Sequence, residues 1–334
     1  MLIRSLTLLA AISLPLMANA QDNKSLTVYT HPSFAAEWGP GPGIEEAFES
    51  NCDCNLEYVV LDSGGDILQR LRLEGDSTDA DVVLGLDTGT METARQTGLL
   101  APHKIGLDPL DLPVDWQDSL FVPYDWGYFA FVYDTEQLPD PPKSLEELVN
   151  APEDLQIIIQ DPRTSTPGLG LLLWMKAIYG DRAGEKWQDL SDNILTTTKS
   201  WSDGYFSLFM NGEAPMILSY STSPAYHMAI DKTDRYQAAP FEEGHYLQVE
   251  VAALVEPSDQ KALAREFLQF ILTPDFQRHI PLKNVMYPAI DLGDALPKVF
   301  DRLIQPETTL FIDPATVAEK RKAWLDEWLN AMIP

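Results

Sequence analysis

Two segments rich in serine and threonine carry side chains suited to holding a polar ligand. One is Asp161-Pro-Arg-Thr-Ser-Thr-Pro-Gly168, which runs into an apolar stretch, and the other is Ser221-Thr-Ser-Pro224. Ser and Thr cap helix N-termini and proline suits the first helical turn, so both segments predict a helix start. Free N–H groups there attract phosphate or another electronegative group, which makes Ser165 and Thr166 candidate ligand residues. Ordinary N-capping is the simpler explanation when the first segment is taken alone.

Aromatic side chains that could cover a ligand ring accompany these segments. Segment 31–42 follows the first predicted strand, and its glycines and prolines predict an irregular backbone around Phe34 and Trp38. These two rings either wall a site or pack beneath the loop, and the sequence leaves both open. Two helix starts that point into one cleft could clamp a polar ligand, with further rings from Trp201, Tyr220 and Tyr226.

The motifs of common hydrolases and nucleotide-binding enzymes are missing from the sequence. It contains no G-x-S-x-G, H-E-x-x-H or G-x-x-x-x-G-K-[ST] pattern, and Gly64-Gly65 predicts only a turn. The five histidines are scattered without metal-ligand spacing. We therefore expect neither catalysis nor a metal site.

The N-terminal residues predict export. Arg4 precedes an apolar run over 6–17 and then Ala18-Asn19-Ala20, so we interpret residues 1–20 as a cleaved signal peptide. An uncleaved anchor is the alternative, but the run is shorter than the roughly 20 residues that span a bilayer. An exported chain meets an oxidising compartment, which favours a disulfide between Cys52 and Cys54 over a metal site.

Length and charge narrow the class of protein further. With 334 residues the chain exceeds the usual size of one hydrophobic core, which predicts two lobes. Its 51 acidic and 23 basic residues give a formal charge of −28, which argues against binding a nucleic acid. The acidic surface either serves solubility or steers a cationic ligand.

Short apolar runs alternate with helix-like segments, which predicts an α/β fold. Ligands of open α/β sheets bind beyond the carboxyl ends of the strands, where the segments above lie. The predicted strands are 26–30, 56–61, 81–86, 128–133, 155–159, 215–220 and 246–255. The predicted helices are 66–73, 144–149, 167–179, 260–271 and 316–332.

Six long segments, in constant order from about residue 26 to 328, resemble the periplasmic thiamine-binding proteins of bacterial ABC thiamine importers. They are Phe34-Ala-Ala-Glu-Trp-Gly-Pro-Gly-Pro42, Ala80-Asp-Val-Val-Leu-Gly-Leu-Asp87, Gly127-Tyr-Phe-Ala-Phe-Val-Tyr-Asp134, the stretch 161–174, Leu218-Ser-Tyr-Ser-Thr-Ser-Pro-Ala-Tyr-His227 and Gly244-His-Tyr-Leu-Gln-Val-Glu-Val-Ala-Ala253. The resemblance implies a two-lobed type II periplasmic binding protein of the α/β class, with a hinge and a central cleft. Lobe 1 would comprise residues 21–124 plus about 250–334, and lobe 2 about 125–249. We expect the C-terminal helices to pack on lobe 1.

The resemblance also implies a function. The protein would be a monomeric periplasmic receptor without cofactor that binds thiamine, thiamine monophosphate or thiamine diphosphate. It would deliver this ligand to a membrane permease with a cytoplasmic ATPase. The ligand-binding positions would be His31, Trp38, Ser63, Gly64, Ser165, Thr166, Trp201, Tyr220, Ser221, Thr222, Ser223 and Tyr226.

Three positions depart from the family pattern. His31 stands where an aromatic ring is expected, Ser63 where an acid is expected, and Val285 where a tryptophan is expected. Loss of a stacking ring weakens binding by about 0.5–1.5 kcal/mol. We therefore consider a preference for a phosphorylated form or for another heteroaromatic cation.

Other functions of the same fold remain open at this stage. One is a receptor for a polyamine or for ferric ion, although the sequence contains no Tyr-Tyr pair of the kind that holds iron. The other is an exported hydrolase or thiamine-degrading enzyme with a nucleophilic cysteine. That alternative requires a free thiol, which a disulfide between Cys52 and Cys54 would remove.

Overall fold

The computed structural model describes residues 24–332, so the predicted signal peptide, residues 1–20, lies outside the described part of the chain. The strands in chain order are β1 (Lys24–Thr30), β2 (Cys54–Val60), β3 (Val82–Asp87), β4 (Leu100–Ala101), β5 (Phe121–Asp134), β6 (Ile157–Gln160), β7 (Ile194–Thr198), β8 (Met216–Tyr220), β9 (Tyr236–Ala238), β10 (His245–Val255), β11 (Tyr287–Pro288) and β12 (Thr309–Leu310).

The α-helices are α1 (Pro32–Ala35), α2 (Gly41–Cys52), α3 (Gly64–Glu74), α4 (Met91–Arg95), α5 (Leu145–Val149), α6 (Thr166–Tyr179), α7 (Ala183–Ser191), α8 (Ser223–Tyr226), α9 (Lys261–Ile271), α10 (Pro274–Gln277), α11 (Ile280–Lys283) and α12 (Pro314–Met332). Short π-helical segments occupy Asp203–Leu208 and His227–Asp231. None of these helices is long and apolar enough to cross a membrane.

Every strand and helix predicted from the sequence is present, with bounds that differ by at most two residues, except that β5 begins seven residues before the predicted strand 128–133. The prediction of an irregular backbone over 31–42 holds only for residues 36–40, which form turns and bends, because α1 lies within this segment and α2 begins at Gly41. Pro32 and Pro42 each stand in the first turn of a helix, where proline needs no hydrogen-bonded N–H.

The strands form one continuous arrangement in the order β2-β1-β3-β10-β5-β8-β6-β7. On one side β1 is parallel to β2 and β3, and on the other side β6 is parallel to β7 and β8. The long strand β5 joins the two groups. Its first half, Phe121 to Tyr128, pairs with β10, and its second half, from Phe129, pairs with β8. The result is an α/β fold with two lobes.

Each lobe has its own hydrophobic core on both faces of its strands. In the first lobe, neighbouring residues Val28 and Tyr29 of β1 enter different clusters, as expected when side chains alternate along a strand. In the second lobe, Phe131 and Val132 of β5 alternate in the same way. Sheets covered on both faces require continuous apolar strands, which explains runs such as 82–86. The lobe boundaries near residues 124 and 249 stay a prediction.

The C-terminal helix does not lie where we expected it. Val317 and Trp328 of α12 belong to the second lobe's core, together with α6 and α7, and α12 also contacts α4 of the first lobe. Trp328 packs edge-on against Trp187 of α7, with ring centroids 6.5 Å apart. The expectation that the C-terminal helices pack on lobe 1 is therefore wrong for α12, since its apolar side chains are buried in the second lobe.

The predicted disulfide is confirmed. Cys52 ends α2 and Cys54 begins β2, and the two residues are joined with their Cα atoms 5.2 Å apart. Asp53 between them adopts a left-handed backbone conformation with φ of 50°, which turns the chain from helix to strand. Both cysteines of the chain are thereby bonded.

Candidate functional site

A cavity of about 880 Å³ lies between the two lobes. Its lining comes from the loops after β1, β2 and β6, from the start of α6, from the π-helical segments and from the turn after α11. Ten of the predicted ligand-binding residues line it: His31, Trp38, Ser63, Gly64, Ser165, Thr166, Trp201, Tyr220, Ser223 and Tyr226. A volume of this size accommodates a small organic ligand.

Ser221 and Thr222 lie behind the cavity wall. Both residues are completely buried, and neither lines the cavity. The hydroxyl of Thr222 contacts the sulfur of Met286 at 3.9 Å, and Met286 in turn lines the cavity. Although residues 220–223 are adjacent in the sequence, the tight turn into α8 leaves Tyr220 and Ser223 at the cavity and turns the two residues between them away from it.

Two helix N-termini lie at the cavity. Ser165 precedes α6, and its side chain makes no capping hydrogen bond, so the first N–H groups of α6 keep their capacity to bind a ligand. Ser63 precedes α3 and does cap it, since its hydroxyl accepts a hydrogen bond from the Asp66 amide at 3.1 Å. The same hydroxyl donates to the Asp66 carboxylate at 2.6 Å. Asp66 also lines the cavity, so a carboxylate lies three residues after the position where the family pattern suggested one.

Gly64 is required by the close approach of two backbones. A Cβ atom at this position would lie 2.4 Å from the carbonyl oxygen of Gly85, the residue that bends β3 with φ of 114°. Any other residue at position 64 would push α3 away from β3. The glycine therefore lets the start of α3 reach the cavity.

The aromatic lining combines rings that are held by their neighbours with rings that are partly exposed. The indole N–H of Trp201 donates to the Ser219 hydroxyl at 2.8 Å, and its ring stacks on Tyr205 with centroids 4.8 Å apart. Tyr220 is held in place against Phe129. Trp38 is 52% exposed and Tyr226 is 38% exposed, so these two rings still have a free face for a ligand.

Phe34 packs beneath the loop after β1 and does not wall the cavity. It is completely buried, and its ring packs edge-on against Tyr58 and Tyr124 at centroid distances of 5.9 Å. Its role is to support the loop after β1. Trp38, by contrast, lines the cavity.

An acidic group at the base of the cavity was missed by sequence reasoning. Glu250 lies in the middle of β10 and lines the cavity, opposite Asp125 of β5 in the strand register. Burial and the nearby charge of Glu250 raise the pKa of Asp125 well above its ordinary value. The signal was present in the sequence, because Gln248 and Glu250 interrupt an otherwise apolar strand.

The surroundings of His31 favour the uncharged form of its imidazole. Its Nδ1 lies 2.9 Å from the Ser33 hydroxyl, while its Nε2 is buried without a hydrogen-bond partner. Burial lowers the pKa of this imidazole, although Glu250 nearby acts in the opposite direction. His31 therefore contributes an uncharged ring to the lining at neutral pH.

Side chains of the two lobes meet at the edge of the cavity. Thr166 of the second lobe donates a hydrogen bond of 3.0 Å to Asp87 of the first. Lys199 and Asp62 face each other at 3.5 Å, and both side chains are largely exposed. Within residues 24–332, no three His, Cys, Asp or Glu side chains are grouped to hold a metal ion.

Two α/β lobes joined by β5 around a ligand-sized cavity define a solute-binding protein. The family model for bacterial extracellular solute-binding proteins matches residues 44–280, and the chain belongs to this family. It is similar to the thiamine-binding periplasmic protein of Escherichia coli (strain K12), with 50% identity over 99% of both chains. The protein of the same name from Brucella abortus biovar 1 (strain 9-941) is 51% identical over 97% of this chain and 96% of its own length.

A solved structure leads to the same group of proteins. The structure titled "Periplasmic thiamin binding protein" is 51% identical to this chain, with a TM-score of 0.91 over 94% of this chain and 98% of its own length. The resemblance noted from the sequence is therefore confirmed, and the chain is a periplasmic protein of the type II binding-protein fold.

Proposed function

We propose that this protein is the periplasmic receptor of an ABC importer for thiamine and its phosphate esters. The observation that supports this function best is the identity of about 50% to proteins named for thiamine binding, over nearly the whole chain. The cavity between the lobes then holds the ligand. After closure the receptor presents it to a membrane permease that is driven by a cytoplasmic ATPase.

The lining residues suit the separate parts of a thiamine molecule. The aminopyrimidine ring stacks on the exposed faces of Trp38 and Tyr226. The positively charged thiazolium ring is attracted to aromatic faces such as Tyr220 and to negative charge. A phosphate group of an ester is bound by the uncapped N–H groups that begin α6, beside Ser165.

The receptor carries out no reaction in this proposal and needs no cofactor. Support comes from its relatives, which are named as binding proteins, and from the disulfide that engages both cysteines. A thiamine-degrading enzyme that uses a nucleophilic thiol requires a thiolate, and neither sulfur is available as one. We further propose that the receptor works as a monomer.

Isothermal titration calorimetry tests the ligand. The mature protein is unfolded, dialysed free of bound ligand and refolded, and it is then titrated with thiamine, thiamine monophosphate and thiamine diphosphate. Spermidine and ferric citrate serve as ligands of the two alternative receptor classes. We expect one-to-one binding of at least one thiamine compound with a dissociation constant below about 1 μM, which corresponds to about −8 kcal/mol.

The outcomes separate the alternatives. Tight binding of spermidine or iron without binding of thiamine compounds would overturn the proposed ligand and leave the receptor class intact. Appearance of cleaved thiamine during a long incubation with the protein would overturn the proposal that it does no chemistry.

A further inference from the structure

Glu250 and Asp125 form a pair of carboxyl groups at the base of the cavity. They lie directly opposite each other on the antiparallel strands β10 and β5, near the point where β5 passes into the second lobe. Asp125 is completely buried, whereas Glu250 lines the cavity. Two ionised carboxylates in this arrangement repel each other, which disfavours ionisation of the buried member, Asp125.

The hydrogen bonds distinguish the two members of the pair. Glu250 accepts three hydrogen bonds from neutral donors, namely the Gln248 amide at 3.0 Å, the Tyr124 hydroxyl at 2.8 Å and the Asn284 amide at 3.3 Å. Donors of this kind stabilise an ionised carboxylate.

Asp125 has a different environment. Its Oδ2 accepts one hydrogen bond of 2.5 Å from Asn284, and its buried Oδ1 has no donor. The raised pKa of Asp125 agrees with a proton on this side chain. The negative charge of the pair is thereby left on Glu250, which faces the cavity.

Glu250 lacks a positive partner within the described part of the chain. No lysine, arginine or histidine nitrogen forms an ion pair with it, and His31, whose pKa burial lowers, is neutral. Of the other charged lining groups, Asp62 faces Lys199 and Asp66 is hydrogen-bonded to Ser63. Lys283 and Asp203 also line the cavity, and Lys283 forms no ion pair with Glu250. Desolvation of a partly buried carboxylate that has no cation beside it costs free energy, and a positively charged ligand offsets that cost.

We propose that Glu250 is the residue that makes the cleft selective for a ligand carrying a positively charged ring. Asp125 acts as its neutral, proton-holding neighbour and keeps the base of the cavity at a single negative charge. This inference rests on the proposed function and adds a recognition residue that sequence reasoning did not find. It assigns the thiazolium end of the ligand to the base of the cavity, next to β10.

Two ligands of similar shape that differ in charge test the role of Glu250. Thiamine is compared with deazathiamine, a neutral analogue in which carbon replaces the charged ring nitrogen, by calorimetry or by competition. We expect Glu250→Gln to weaken thiamine binding at least tenfold, which corresponds to about 1.4 kcal/mol, and to change deazathiamine binding less than about threefold. Glu213→Gln makes the same chemical change at an exposed position outside the cavity and controls for the loss of overall charge.

Two further variants control for misfolding and test which of the two carboxyl groups carries the negative charge. Glu250→Asp keeps the carboxylate and should retain most of the preference for thiamine over deazathiamine. Asp125→Asn replaces a neutral acid by a neutral amide and should keep the same preference ratio as the wild type. Thermal melting of each variant establishes that it is folded.

Each outcome decides the question. Equal weakening of both ligands by Glu250→Gln, or loss of the preference in Asp125→Asn, would overturn the inference while the wild-type protein still bound thiamine. Absence of thiamine binding by the wild type would overturn the proposed function, and the inference with it.

Discussion

The hydroxyl of Thr166 donates a hydrogen bond of 3.0 Å to Oδ2 of Asp87, and this bond joins the two lobes across the cleft. Asp87 ends β3, and its Oδ1 accepts hydrogen bonds from the Gly89 amide and the Thr90 hydroxyl at 2.8 and 3.0 Å. Burial raises the pKa of Asp87. Thr166 therefore contributes to contact between the lobes through the side chain that sequence reasoning assigned to the ligand.

Replacement of Thr166 by valine should shift the receptor toward an open cleft. The variant keeps the shape of the side chain but leaves Oδ2 of Asp87 without this donor, at a cost of about 1–3 kcal/mol to the closed state. Because only the closed state fully surrounds the ligand, we expect affinity to fall by about threefold or more. Calorimetry measures the affinity, and small-angle scattering measures the radius of gyration of the free protein.

Thr273→Val provides the matched control for this experiment. Its hydroxyl donates to the Phe270 carbonyl at 2.7 Å within the first lobe, away from the cavity. A Thr166→Val protein with the affinity and radius of gyration of the wild type would show that the contact does not affect closure.

Replacement of Val285 by tryptophan should strengthen ligand binding. Val285 lines the cavity and has a positive φ of 57°, a conformation that is unfavourable for a β-branched residue. Tryptophan is not β-branched and adds a stacking face, for which we expect a gain of about 0.5–1.5 kcal/mol, or two- to tenfold in affinity. Val285→Ala relieves the β-branch without adding a ring, so comparison of the two variants by calorimetry isolates stacking. Equal affinities of the two variants would contradict the prediction.

The sequence predicted the elements whose hydrophobic pattern is strong and missed those whose pattern is weak. Strand β7, Ile194–Thr198, lies at the edge of the second lobe and is only partly buried, and three of its five residues are threonine rather than apolar. Helix α2 was missed because its first turn reads Gly-Pro-Gly, a sequence typical of turns. In both elements, contacts with the rest of the protein outweigh the weak preference of the local sequence for a strand or a helix.

The candidate site was predictable where it depends on local sequence. The start of α6 at Thr166 follows from its proline and its flanking serine. Ser63 was named only through the family resemblance, and its position as the N-cap of α3 was not predicted. The pairing of Asp125 with Glu250 depends on the register between two strands that are 125 residues apart in the chain, which no local pattern contains. The position of α12 on the second lobe was missed for the same reason.

Removal of the disulfide should lower stability modestly and leave binding unchanged. The loop between Cys52 and Cys54 is very short, with a sequence separation of 2, so chain entropy predicts a loss of only about 1.5 kcal/mol for Cys52→Ala/Cys54→Ala. Neither cysteine lines the cavity. Urea unfolding measures the loss, and calorimetry with thiamine measures binding. A large fall in affinity would mean that the turn between α2 and β2 influences the cleft.

Acidification should destabilise the protein partly through His245. This imidazole is buried, with Nδ1 2.8 Å from the Phe129 carbonyl and Nε2 accepting from the Phe241 amide at 3.1 Å. Burial lowers its pKa from 6.5 to about 4. At a pH between about 4 and 6.5, His245 therefore binds a proton in the unfolded chain but not in the folded protein. The stabilisation is therefore complete above pH 6.5 and is lost as the pH falls toward 4, by up to about 3 kcal/mol.

Urea unfolding of the wild type and of His245→Asn between pH 7 and 4 isolates this contribution. The variant should be less stable at pH 7, because it loses the bond to Phe241 or to Phe129, but its free energy of unfolding should fall less steeply on acidification. His31, His227 and His279, whose pKa values burial also lowers, are present in both proteins and contribute to both slopes. Equal slopes for the two proteins would show that His245 is protonated in the folded state as readily as in the unfolded chain.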